Sequence, residues 1–238
     1  QREPTNATWT IDSTPPSATQ IKIHGTWHGL SDSPIALNAT VSKMALRFQE
    51  DGTGLDLSAS DLELLNAANK EVPGNWRISG RDLVFTPDDP LPESVYTLNI
   101  RLQDEIGNAM EERSVRFYVD TTPPPAPDPD PATSPTHKAS QVLSGSKAAG
   151  ASVELNGSRI VGHTDTTSWS HEVSLSPGEN ELVLASRDRA GNLGPKATLR
   201  IVFDDIAPPE VASLSVNGEL DGTTANLDWS AYDASQHG

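Results

Sequence analysis

Apolar and polar residues alternate with a period of two along most of the chain. "VYTLNIRLQD" (Val95–Asp104) and "RSVRFYVD" (Arg113–Asp120) show the pattern, as do "NELVLASRD" (Asn180–Asp188) and "ATLRIVFD" (Ala197–Asp204). A strand turns successive side chains to opposite faces, so this alternation predicts half-buried strands. Shorter runs read the same way: "IALNATV", "KMALRF", "NWRIS" and "DLVFTP" between Ile35 and Pro87, then "QVLSGS", "ASVELNG", "SRIVGH" and "TSWSHEVSL" between Gln141 and Leu175. "LSASDLELLNAAN" (Leu57–Asn69) breaks the period. It admits a helical turn capped by Ser60 or Asp61, or a strand with a loop, and the strand is the preferred reading. Asn156–Gly157 carries the signal of a tight hairpin, and "SPGEN" (Ser176–Asn180) that of another turn. Trp76, Phe85, Leu98 and Phe117 are expected in one core, Trp169 and Phe203 in a second.

A repeat organises these strands. "DEIGN" (Asp104–Asn108) and "DRAGN" (Asp188–Asn192) each stand between two alternating runs, and the second run of each pair ends at an aspartate, Asp120 or Asp204, at the same spacing. Asp can accept from backbone two residues on, Gly supplies positive φ and Asn tolerates it, so each copy predicts a terminal β-hairpin. A proline pair follows each closing aspartate: "TIDSTPP" (Thr10–Pro16), "YVDTTPP" (Tyr118–Pro124) and "VFDDIAPP" (Val202–Pro209). Proline cannot donate to a strand ladder and fixes φ, so these phrases predict stiff joints between domains. The expected organisation is the last strand of a preceding domain at 1–12, a domain at 13–120, a second at 121–204 and the start of a third at 205–238. "PPPAPDPDPATSP" (Pro123–Pro135) reads as an extended lead-in to the second domain. Strands at this spacing imply an all-β fold of tandem β-sandwiches.

Composition narrows the function. The 238 residues carry 33 acidic against 17 basic side chains, a net charge of −16, which disfavours nucleic acid and anionic lipid. No apolar run is long enough to span a membrane, so direct insertion is not expected. Without cysteine there is no disulfide, zinc-thiolate site or thiol nucleophile. The chain starts at Gln1 and reads as a piece of a longer polypeptide whose targeting signals lie elsewhere.

Three stretches resemble bacterial immunoglobulin-like arrays. "LVFTPDDPLPESVYTLNIRLQDEIGNAM" (Leu83–Met110) is similar to the end of the SbsA-type Ig-like domain. "SGSKAAGASVELNG" with "GENELVLASRDRAGN" resembles Ig-like repeats of bacterial adhesins and of YD-repeat (Rhs-type) proteins. "PPEVASLSVNG" through "ANLDWSAYD" resembles the first strands of a fibronectin type III domain, with Trp229 at the second-strand tryptophan. The resemblance implies tandem immunoglobulin-like β-sandwiches at an extracellular or bacterial-surface location, and no catalysis. "HGTWHGLSDS" (His24–Ser33) matches nothing in that pattern.

Candidate chemistry is sparse. His24 and His28 have the spacing of helical metal ligands, but Gly25, Gly29 and the β pattern predict a surface loop instead. No nucleophile elbow, phosphate loop or paired catalytic carboxylates appear. Asn6, Asn38 and Asn156 begin N-x-S/T sequons, which are glycan sites in a secreted eukaryotic protein and without meaning in a bacterial one, and the resemblance favours the second reading. The aspartates are the sharpest candidates. Sandwich topology returns the last hairpin's turn toward the end where the chain enters, so Asp104 is expected near Asp12 and Asp188 near Asp120, with Asp204 at the third joint. These five admit two readings: turn caps, or ligands of an interdomain calcium ion, a cation that takes oxygen donors. The function implied is a stalk or spacer of a large secreted or surface protein. Its expected partners are other domains of the same polypeptide, and a host or cell-surface protein or glycan if the segment is adhesive. The rivals are an array belonging to a YD-repeat toxin and an accessory module of a polysaccharide-degrading enzyme.

Overall fold

The computed structural model describes residues 12–30 and 34–207. The expected strand at the N-terminus and the expected third domain, including Trp229, lie almost entirely outside the described residues. Every described element is a strand. No described helix is long and apolar enough to cross a membrane. The chain divides into two compact units, Gln1–Pro123 with Asp188–Asn192, and Pro124–Arg187 with Leu193–Gly238.

The first unit contains β1 (Ser17–Ile23), β2 (Thr26–Gly29), β3 (Ile35–Leu37), β4 (Met44–Gln49), β5 (Leu55–Leu65), β6 (Gly74–Ser79), β7 (Asp82–Pro87), β8 (Ser94–Asp104) and β9 (Arg113–Val119). They form two sheets, ordered β2-β1-β4-β7-β6 and β3-β9-β8-β5. All neighbours are antiparallel except β3 and β9, which run parallel from Ile35↔Phe117 to Leu37↔Val119. The inward residues of both sheets make one core that includes Ile21, Leu46, Phe85, Leu98, Ile100 and Phe117. Tyr96 stacks on Phe117 with ring centroids 5.2 Å apart. Trp76 packs on Phe85 at 4.8 Å but stays half-buried, because β6 is an edge strand.

One local reading changes, and a second, the strand with a loop at Leu57–Asn69, holds and gains its cause. The stretch expected as a surface loop is a hairpin: His24 (φ +49°) and Gly25 (φ +80°) turn β1 into β2, and His28 sits on β2 opposite Ile21. β2 is short and glycine-bounded, so it offered too little alternation to read. Leu57–Asn69 is mainly strand, and its broken period has a cause. Between Asp56 and Asp61 β5 bulges away from β8. There the Asp56 carboxylate accepts from Ser58 N (2.9 Å), Ala59 N (3.1 Å) and Ser58 Oγ (2.6 Å). Asp56 thus stabilises a bulge where Ser60 or Asp61 had offered a helix cap.

The second unit contains β10 (Asp128–Pro129), β11 (Ser140–Ser146), β12 (Ser152–Leu155), β13 (Ser158–Val161), β14 (Ser168–Ser174), β15 (Gly178–Arg187) and β16 (Leu193–Phe203). Its sheets are β10-β11-β14 and β13-β12-β15-β16. Leu143, Val153, Trp169, Leu184, Ile201 and Phe203 lie in the core between them. The proline-rich lead-in is part of this sandwich. Asp128–Pro129 pairs with Ser146–Gly145, and Thr136 bridges Phe203 in parallel. Gly145 permits that approach, since a Cβ there would collide with the Asp128 carbonyl. Asn156 (φ +49°) and Gly157 (φ +81°) form the expected tight turn, and Asn156 Oδ1 accepts from Val183 N at 2.9 Å.

Candidate functional site at the aspartate turns

The two D-x-x-G-N segments fold almost identically. In the first, Asp104 Oδ1 accepts from Ile106 N (3.1 Å) and Asn108 N (2.7 Å), and Oδ2 accepts from Asn108 Nδ2 (2.7 Å). In the second, Asp188 Oδ1 accepts from Gly191 N (2.7 Å) and Asn192 N (2.9 Å), and Oδ2 accepts from Asn192 Nδ2 (2.8 Å). Gly107 and Gly191 take φ of +98° and +100°, a region that only glycine enters without strain. The carboxylate organises the turn, and the Asn amide locks onto it.

That amide carries a second hydrogen, and each copy directs it to a joint. Asn108 Nδ2 donates to the Asp12 carbonyl at 3.3 Å, and Asn192 Nδ2 to the Asp120 carbonyl at 2.7 Å. The Asp of each joint also caps its own backbone. Asp12 Oδ1 accepts from Thr14 N (3.0 Å), Asp120 Oδ1 from Thr122 N (3.1 Å) and Asp204 Oδ1 from Ile206 N (3.0 Å). The repeated phrase therefore encodes an Asx-type turn that leads into the prolines.

The first joint gathers charge. Carboxylate oxygens of Asp12, Glu50 and Asp104 lie within 4.8 Å of one another. Among the described residues this is the one grouping of its kind; Asp120, Asp188 and Asp204 join no such cluster. Asp104 is fully buried, Asp12 and Glu50 half-buried. Burial alone would raise the Asp104 carboxyl. Hydrogen bonds from the Asn108 side chain and from the backbone of Asn108, Ile106 and Gly107 outweigh it and hold the group below the ordinary carboxylate value. Asp12 Oδ2 accepts from Thr53 N at 3.0 Å, and Glu50 Oε1 from Gly52 N at 2.8 Å. Gly52 makes room for Asp12, whose carboxylate would clash with any Cβ there. Glu50 and Gly52 escaped the sequence reading; the acidic, glycine-rich "EDGTG" (Glu50–Gly54) is the signal that marks them.

The donor set suits a hard cation. All three side chains offer oxygen, and Asp12 Oδ1 and Asp104 Oδ2 accept from Thr14 N and Asn108 Nδ2, while the Glu50 bond to Gly52 N uses Oε1. Three carboxylates are half or less of the oxygens that calcium takes, the remainder coming from water or backbone.

Two antiparallel sheets per unit, closed face to face, with a parallel pairing onto the last strand, define a chain of tandem immunoglobulin-like β-sandwiches. Solved structures of similar fold include the fibronectin(III)-like modules of Clostridium thermocellum CbhA, at 12% identity over 77% of this chain and 94% of that one, with a TM-score of 0.47. A run of titin domains matches at 12% identity over 80% and 67%, with a TM-score of 0.43. The D00–D0 domain of intimin matches at 15% identity over 79% and 100%, with a TM-score of 0.31. No family model and no curated protein matches the sequence.

Proposed function

We propose that this chain is a non-catalytic spacer segment of a large secreted or surface-exposed bacterial protein, holding other parts of that protein at a set distance. The observation that carries this reading is the repeated joint: in both copies a half-buried turn Asn donates to the carbonyl of the joint aspartate. A tether needs only flexible polar chain, whereas a spacer must restrict its connections, and side-chain bonds to joint backbone do that.

The second unit adds a mechanical argument. Thr136 N donates to Val202 O and Asp204 N to Thr136 O, each at 2.9 Å, between the unit's leading segment and its last strand. These segments run parallel, so pulling the ends apart shears the bonds together instead of unzipping them one at a time. Stretching single molecules by their termini tests the reading. A spacer gives cooperative force peaks, each releasing the chain folded within one sandwich. Extension without such peaks refutes it.

Calcium belongs to the same proposal. Asp12, Glu50 and Asp104 would hold it at the first joint, whereas Asp120, Asp188 and Asp204 gather no such cluster among the described residues and act as turn caps. Melting in millimolar calcium and in chelator tests this. Stabilisation that Glu50→Gln removes supports the site, and superimposable curves reject it.

A further inference from the structure

The outer face of the five-stranded sheet carries a basic groove that no part of the spacer reading uses. One register row crosses all five strands: Trp27 on β2, Lys22 on β1, Ala45 on β4, Val84 on β7 and Arg77 on β6. These residues alternate with the inward core residues, so their side chains share the outer face. Ala45 and Val84 form a low apolar floor, and Val84 is only 5% exposed although it faces outward. Lys22, Lys43, Ser42, Ser79 and Asp82 rise around that floor and line a groove of about 420 Å³. That volume falls within the range of small-molecule sites.

The cations are held in place. The Arg47 guanidinium lies 4.2 Å from the Trp27 ring centroid and the Lys22 ammonium 5.3 Å from it. Arg47 also grips Asp82 with two bonds, Nε to Oδ1 at 2.8 Å and Nη2 to Oδ2 at 3.2 Å. Asp82 is the groove's one carboxylate, and Arg47 neutralises it, so Lys22 and Lys43 leave the groove positive on a chain of net charge −16.

We infer that this groove binds the terminal acidic sugar of a saccharide, its carboxylate paired with Lys22 and Lys43 and its ring seated on Ala45 and Val84. Charge complementarity selects an anion. The acidic body of the protein repels a long polyanion, so a single terminal charge fits better than a charged polymer. The polar rim selects a sugar over an acidic peptide. Ser42 and Ser79 offer hydroxyls, and Asp82 retains acceptor lone pairs beside its two Arg47 bonds, a mixed donor and acceptor set that the several adjacent hydroxyls of one sugar ring can meet together. The inference stands apart from the spacer proposal, since either can hold without the other.

An NMR titration of the isotope-labelled chain tests it with four probes: sialyllactose, a glucuronyl-galactose disaccharide, lactose and acetate. The expected result is saturable shifts at Lys22, Lys43, Ala45 and Val84 with one or both acidic saccharides, weakening as salt rises. Which of the two binds identifies the acidic sugar. The double variant Lys22→Gln/Lys43→Gln should weaken binding roughly tenfold or more, because charge-assisted hydrogen bonds are lost. Its unperturbed spectrum elsewhere would show that the fold survives. Failure of both acidic saccharides overturns the inference, as does equal binding of lactose or of acetate. Concentration-dependent self-association that the double variant abolishes would also overturn it, because the groove would then hold an acidic segment of a second copy.

Discussion

Asn192→Ala removes the amide that links the second turn to its joint. Two hydrogen bonds disappear, one of 2.8 Å to the Asp188 carboxylate and one of 2.7 Å to the Asp120 carbonyl. An intramolecular hydrogen bond contributes about 0.5–1.5 kcal/mol net, and more when the acceptor is charged. Asn192 and Asp188 are half-exposed, so water partly replaces the lost donors. The expected loss is about 1–2 kcal/mol, or roughly 5–10 °C in melting temperature for domains of this size. Asn192→Asp should cost more, since it sets a second carboxylate against Asp188 where the wild type has a donor. Thermal unfolding by circular dichroism reads the loss, and hydrogen exchange on the Asp188–Asn192 peptide localises it. Gly191 N and Asn192 N should exchange faster while the core strands β12 and β15 keep their protection. A melting curve within about 1 °C of wild type, with unchanged exchange in the turn, would show that the Asn amide does not hold the joint.

Three further outcomes follow from the packing. Phe117→Ala, at a fully buried position stacked on Tyr96, should cost about 3–5 kcal/mol by urea unfolding, because the cavity sits between both sheets and cannot collapse. Gly145→Ala should cost about 1–3 kcal/mol and raise exchange at Asp130 N, which bonds Ser144 O, because the new Cβ drives the lead-in segment off β11. The Arg187 side chain, bonded through Nε at 2.6 Å, holds the Glu154 carboxyl below its ordinary value of 4.5 against the opposing effect of burial. A depressed carboxyl stabilises the fold above its unfolded value and loses that contribution as pH falls through the folded one. Urea midpoints should therefore fall as pH drops below 4.5, and Glu154→Gln should flatten that acid slope.

Local chemistry decided much of this in advance. Alternation marked nearly every long strand, since a half-buried strand must alternate whatever it packs against. Asn156–Gly157 and both D-x-x-G-N turns were legible because positive φ restricts residue choice to a few types. The same restriction made the repeat visible, and the prolines marked where strands must end. Where two effects overlapped, local reading lost its force. The bulge at Asp56–Asp61 left a helix cap open beside the preferred strand, because Ser and Asp favour both, and only pairing with β8 decides between them.

What tertiary structure alone decided is which distant residues meet. Glu50 and Gly52 lie far along the chain from Asp12 and Asp104, and they converge because β4 and β8 end on the same side of one sandwich. Lys22, Ala45, Val84 and Arg77 belong to four strands whose lateral order is not their sequence order, so no linear pattern unites them. The proline-rich lead-in, read from composition as a connector, became part of a sheet because Gly145 leaves space for it. Backbone preference acts over a few residues and is written in the local sequence. Carboxylate clusters, cation stacks and close backbone approaches depend on sheet register, which the whole core sets at once.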